Sequence, residues 1–282
     1  MKGVRQSFGY TVVELMIVLA VSGVMFIIAA NFISGKQGKT SFIQGSNEMV
    51  SRIQGVIEQV TDGQYTDIPM SCTSNGSSLS ITGAVKAQGT NPQCVFMGKI
   101  MHFSVASNRN KYEVFSLAGT RLKSDGTPAI NFTDSRLTAV YFPSVVPPIN
   151  LTSQFTTPQN LDITDMKAVA ADTGVVFPGS YGVGFVQGMG TAGLDINGDA
   201  DGSYKSGAQT ISMVYLPVMA NRNEADAANS INAGLVNKAK SVCIAVSDGT
   251  RGALINIGTD EGSQISVEIK QLGEVSGTVT CP

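Results

Sequence analysis

The sequence predicts an α+β protein: one long amino-terminal α-helix packed on an antiparallel, β-rich globular head. Three observations lead there. Residues 10–33 form an apolar run broken by a single charge, Glu14. Residues 42–60 carry apolar side chains at helical spacing. From residue 62 onward that spacing gives way to short runs rich in Val, Ile, Phe and Tyr, punctuated by Gly, Asn, Ser and Pro.

The first half of the helix has membrane character. As a helix, residues 10–33 would span about 36 Å, enough to cross a bilayer. Lys2 and Arg5 precede the run, and Lys36 and Lys39 follow it, so flanking charge votes only weakly for a cytoplasmic start. The second half is amphipathic. Phe42, Met49, Ile53, Val56 and Val60 recur at steps of three, four or seven, and Ile43, Val50 and Ile57 widen the stripe. With no proline between Tyr10 and Thr61, one helix over 10–61 is expected, closed by Asp62-Gly63. Gly35, Gly38 and Gly45 would each weaken it by about 1 kcal/mol relative to alanine.

Glu14 needs a reason. A carboxylate at the bilayer centre costs about 2.5–3.5 kcal/mol on insertion scales. A signal peptide cut near Ala29-Ala30 and a plain anchor both leave it without a task. The stretch "GYTVVELMIVLAVSGVM" resembles the amino terminus of the type IV pilin and pseudopilin family. The resemblance covers roughly residues 5–35 and fades in the head. It implies a leader over residues 1–9, cut by a prepilin peptidase after Gly9, with methylation of the new terminus at Tyr10. The family more often has Phe or Met where Tyr10 stands. Glu14 becomes the fifth mature residue, and the resemblance pairs it with the Tyr10 amine of a neighbouring subunit. Leu15, Ile17, Val18, Val21 and Val24 would then bury against other subunits in a filament core.

The head is expected over 62–282, with a candidate lobe boundary near 143–160 in a proline- and threonine-rich crossing. "CVFMGKIMHFSVA" and "KYEVFSLAG" read as a hairpin around "SNRN". "AINFTDSRLTAVYFP", "GVVFPGSYGVGFVQG", "TISMVYLPVM", "SVCIAVSD", "RGALINIG" and "SQISVEIKQL" are further strands. "NRNEADAANSINAGLVNKAK" is the one later helix, expected to run straight to Cys243. The four cysteines, Cys72, Cys94, Cys243 and Cys281, show no C-x-x-C spacing, and the chain has one histidine, so a Cys/His zinc site lacks ligands. Two disulfides are favoured. Of three connectivities, Cys72–Cys94 and Cys243–Cys281 each close a local loop.

Chemistry is sparse. In "LDINGDADGS", Asp195, Asn197, Asp199 and Asp201 alternate as candidate calcium ligands, without the terminal glutamate of an EF-hand in either frame. A solvated Asp/Asn/Gly turn is the alternative. "GKQGKT" lacks the earlier glycine of a phosphate loop, since Ile33 stands there. His102 reads as a packed or surface residue, and no G-x-S-x-G elbow occurs. Only 14% of residues are charged and the net charge is -2, so nothing points to nucleic acid. The expectation is a structural subunit, not an enzyme, requiring no cofactor beyond candidate Ca2+. Its expected partners are like or related pilin subunits, the prepilin peptidase, the cytoplasmic membrane and a pilus or type II secretion assembly machinery. It would cross the membrane once with the head outside, then enter an extracellular or periplasmic filament. The rival is a membrane-anchored surface binding protein or enzyme that never polymerises.

Overall fold

The computed structural model describes residues 11–63, 70–74, 79–83, 95–103, 109–120, 127, 136–140, 153–171, 173–178, 181–187, 211–216, 224–233, 235–259 and 265–282, with the side chains of 30–35, most of 70–83, 153, 224–227 and 259 outside that description. Gly9, Tyr10, Cys94 and the loop of Asp195, Asn197, Asp199 and Asp201 lie outside the described residues. Two compact units divide the chain, Met1–Gln44 and Gly45–Pro282.

Helix α1 runs unbroken over Val12–Thr61. In the first unit each large apolar side chain from Val12 to Ile28 is more than half exposed. In the second unit Met49, Ile53, Val56 and Val60 are buried, and Val50 and Ile57 are half-buried at the stripe's edges. Gly45 and Ser46 continue the buried face. Gly45 is there for closeness. A Cβ on it would sit 3.1 Å from Gln159 Cβ and 3.2 Å from Leu161 Cδ1. Asp62 and Gly63 close the helix, with Gly63 at φ 66°.

The second unit is built on antiparallel strands. β1 (Met70–Ser74) and β2 (Leu79–Gly83) form a separate ladder. An 11-stranded sheet holds β3 (Val95–Phe103), β4 (Lys111–Gly119), β5 (Thr138–Ala139), β6 (Ser153–Thr156), β7 (Asp162–Ala170), β8 (Val176–Pro178), β9 (Gly182–Gln187), β10 (Ile211–Leu216), β11 (Asn237–Ser247), β12 (Arg251–Thr259) and β13 (Ile265–Glu274). Its path is β13-β12-β11-β10-β9-β3-β4-β5, with β6 on β4 and the β7–β8 pair on β11. The expected hairpin is β3–β4, with a bulge between Phe96 and Gly98.

The face of β3, β4 and β9 that carries Lys99, Tyr112 and Gln187 receives the last turns of α1. Lys99 Nζ donates to Gln59 Oε1 at 2.6 Å. Arg52 donates to the Tyr112 hydroxyl at 3.2 Å and to the Thr156 carbonyl at 2.9 Å. The Gln187 amide donates to the carbonyls of Val60 and Thr61, two of those left open at the helix end. The opposite face packs Met97, Ile100, Phe115, Leu117, Val214 and Leu216 against Ala228 and Ile231 of helix α2 (Glu224–Asn232).

Helix α2 is shorter than the sequence predicts. It ends at Asn232, the Leu235 N–H donates back to Ser230 O, and "NKAK" enters β11 instead. Asn232 Oδ1 accepts from Ala139 N, which spends the helix end on bonding β5. Strand β7 was absent from the sequence reading. Its inward residues Ile163, Met166, Ala168 and Ala170 are buried, but Asp162, Asp165 and Lys167 break the apolar pattern. The bulge opposite Ala245 and Val246 also shifts its alternation by one residue.

Candidate functional site

Thr11 is the residue before the first turn of α1, and Glu14 is in that turn. The Glu14 carboxylate accepts from Thr11 N and from Thr11 Oγ1, both at 3.3 Å. Thr11 Oγ1 in turn accepts from Glu14 N at 3.3 Å. This is a capping box: two free helix-end N–H groups are satisfied by reciprocal side chains. The T-x-x-E spacing was the signal for it in the sequence. The carboxylate also lies at the positive end of the helix dipole, which favours its charge there. Glu14 is exposed, so the cap leaves it open to a further partner.

Behind Glu14, Val12–Ala29 is long and apolar enough to cross a membrane, with a mean hydropathy of 2.6 and none of it buried within the chain. An apolar surface of this extent marks a lipid or protein partner. Leu15, Ile17, Val18, Val21 and Val24 are all exposed on it.

Cys243 of β11 and Cys281 of the last segment are joined in a disulfide, with Cα atoms 6.0 Å apart. Cys72 lies in β1 opposite Ile81, while its expected partner Cys94 is outside the described residues. The last segment is also held by β7. Asp165 Oδ2 accepts from Cys281 N at 3.0 Å, Lys167 Nζ donates to Cys281 O, and Thr164 Oγ1 donates to Val279 O at 2.6 Å.

One polar cluster escaped the sequence reading. His102 and Glu113 face each other across the β3–β4 hairpin, with His102 Nδ1 3.0 Å from Glu113 Oε2. Gln154 Nε2 donates to the other carboxylate oxygen at 3.2 Å. Both carboxylate oxygens of Glu113 are thus engaged, one by His102 and one by Gln154. His102 Nε2 is buried without a hydrogen-bond partner. The cluster sits beside Phe115, 6.2 Å between ring centroids.

Among the described residues no group of three or more His, Cys, Asp or Glu is placed to hold a metal. At the β11–β12 turn, Asp248 accepts from Thr250 N, Thr250 Oγ1 and Arg251 N at 2.7–2.9 Å. Burial alone would raise its carboxyl, but these donors and the Arg251 charge hold it below the ordinary value. That is turn stabilisation, not chemistry. Comparison of the chain with protein-family models, with curated proteins and with solved structures finds no match.

Proposed function

We propose that the chain is a structural subunit of the type IV pilin kind, anchored by α1, processed after Gly9 and polymerised through the same helix. The observation that carries the reading is "GYTVVE" running gaplessly into a helix whose large apolar side chains are more than half exposed from Val12 to Ile28. In the membrane those side chains face lipid. In a filament they face the helices of other subunits, in a contact that is heterologous and does not close.

Glu14 acts twice in this account. Within the chain it caps α1 through Thr11. Between chains its carboxylate receives the cationic amine that processing creates at Tyr10 of a neighbour. Packing Glu14 among helices without that amine would leave a desolvated charge, so the pair sets axial register by penalising every other alignment. The head is then carried outside the membrane and displayed on a pilus or pseudopilus. No cofactor is required, and calcium at Asp195, Asn197, Asp199 and Asp201 would serve to rigidify that loop.

A membrane-anchored binding protein or enzyme that never polymerises is the second reading. The Thr11–Glu14 cap favours it, because a cap gives Glu14 a local task that a plain anchor would share. Replacing Glu14 with alanine tests the amine pairing. Membrane insertion should persist, and incorporation into sheared filaments should fall at least about tenfold. Unchanged incorporation would remove the amine pairing, and absence of the unaltered chain from sheared filaments would favour the anchor.

A further inference from the structure

We propose that the outer edge of β13 is a self-association surface, on which two copies of the chain pair antiparallel about a two-fold axis at Ile269. β13 ends the sheet, and no other described strand pairs with its outer edge. It is 10 residues long and regular against β12 except at one bulge, where Leu272 is the extra residue between the Gly252–Gly273 and Ala253–Gln271 pairs. Proteins blunt a strand edge of this length with charge, proline or cover. This one carries Glu268 and Lys270, of opposite sign, on either side of Ile269.

The charges select the partner and the register. A two-fold axis perpendicular to a sheet keeps every side chain on its own face, so it must pass through a pair of equivalent residues. Centring on Glu268 or Lys270 sets like charges opposite each other. Centring on Gln271 brings the Leu272 bulge next to the axis and sets Lys270 opposite no carboxylate. Centring on Ile269 places Glu268 of each copy opposite Lys270 of the other, giving two attractive cross-strand pairs.

The apolar side agrees. Ile269 and Val267 lie opposite Ile255 and Ile257, which are buried, yet they are themselves only half-buried because the sheet stops there. In the paired form Ile269 meets its twin, and the buried face continues across the axis. Leu272, 38% exposed, sits in the bulge at the end of the regular stretch. The contact is isologous, so it joins two chains or two filaments side by side and does not extend one. It goes beyond the filament reading and does not depend on it. A single strand edge buries less than a standard stable interface, so the contact is expected to be weak in dilute solution.

Cysteine cross-linking of the full-length chain tests the register, both in membranes and at high concentration in detergent. In the paired form the two Ile269 Cα atoms lie about 4.5–5.5 Å apart, within disulfide reach. The two Gln271 Cα atoms lie about 14 Å apart. Ile269→Cys should give at least about ten times more reducible dimer than Gln271→Cys. Adding Glu268→Lys should lower the dimer yield about three- to tenfold, and adding Lys270→Glu as well should restore it. Absence of an Ile269→Cys dimer, equal yields at 269 and 271, or failure of the double reversal to restore the yield would each overturn the proposal.

Discussion

Thr11 and Glu14 bond each other reciprocally: the Glu14 carboxylate accepts from the Thr11 nitrogen and hydroxyl, and the Thr11 hydroxyl accepts from the Glu14 nitrogen. The two roles of Glu14 can therefore be pulled apart chemically. Glutamine at this position still closes a capping box but carries no charge. Glu14→Gln should keep the helix start intact, with amide exchange at Val12–Glu14 changing little, and should still lose filament incorporation. Thr11→Ala should do the reverse, fraying the first turn by about 1 kcal/mol while leaving the carboxylate in place. Normal assembly of Glu14→Gln together with failed assembly of Thr11→Ala would show that capping, not charge, is what assembly reads.

Two glycines of α1 should respond with opposite sign. Gly55 meets nothing within 4 Å of a built Cβ, so Gly55→Ala should stabilise the protein by about 1 kcal/mol through helix propensity. Gly45 faces Gln159 and Leu161 at 3.1–3.2 Å. Gln159 and Asn160 both hold φ of 53°, so their backbone has little freedom to give way. Gly45→Leu should therefore destabilise by about 1–3 kcal/mol. Chemical denaturation of the full chain in detergent would read both, and a stabilising Gly45→Leu would contradict the packing of α1 on that loop.

The β11–β12 turn should make part of the head's stability acid-sensitive. Asp248 is subject to opposing effects: burial raises its carboxyl, and the Thr250 and Arg251 donors outweigh that and leave it below the ordinary carboxylate value. A carboxyl with a lowered folded value contributes stability in full above its unfolded value. That contribution is lost as pH falls through the folded one. The stability difference between the wild type and Asp248→Ala should accordingly be constant near neutral pH and shrink below about pH 4. A difference that grows on acidification would reverse the sign of the argument.

The features legible in the sequence were those governed by local periodicity. The stripe Met49, Ile53, Val56 and Val60 is read from spacing alone, and each is buried. The β3–β4 hairpin follows from two apolar runs around a polar turn. β7 was hidden because its polar residues have a structural task. Asp165 and Lys167, which spoil its apolar pattern, are the side chains that hold Cys281. The His102–Glu113 pair was hidden because its alignment depends on register. The bulge between Phe96 and Gly98 resets that register, and nothing in either run announces it. Gly45 looked like a helix weakness and is a contact. The Thr11–Glu14 box was present as T-x-x-E, but the resemblance to pilins had already supplied Glu14 with a partner elsewhere.

The most direct test of the whole account is the intact mass of the chain recovered from membranes, together with sequencing of its amino terminus. The account predicts a chain that begins at an N-methylated Tyr10, with residues 1–9 removed. A chain that retains Met1, or one cut near Ala30, would contradict it, because neither would place a free cationic amine beside Glu14.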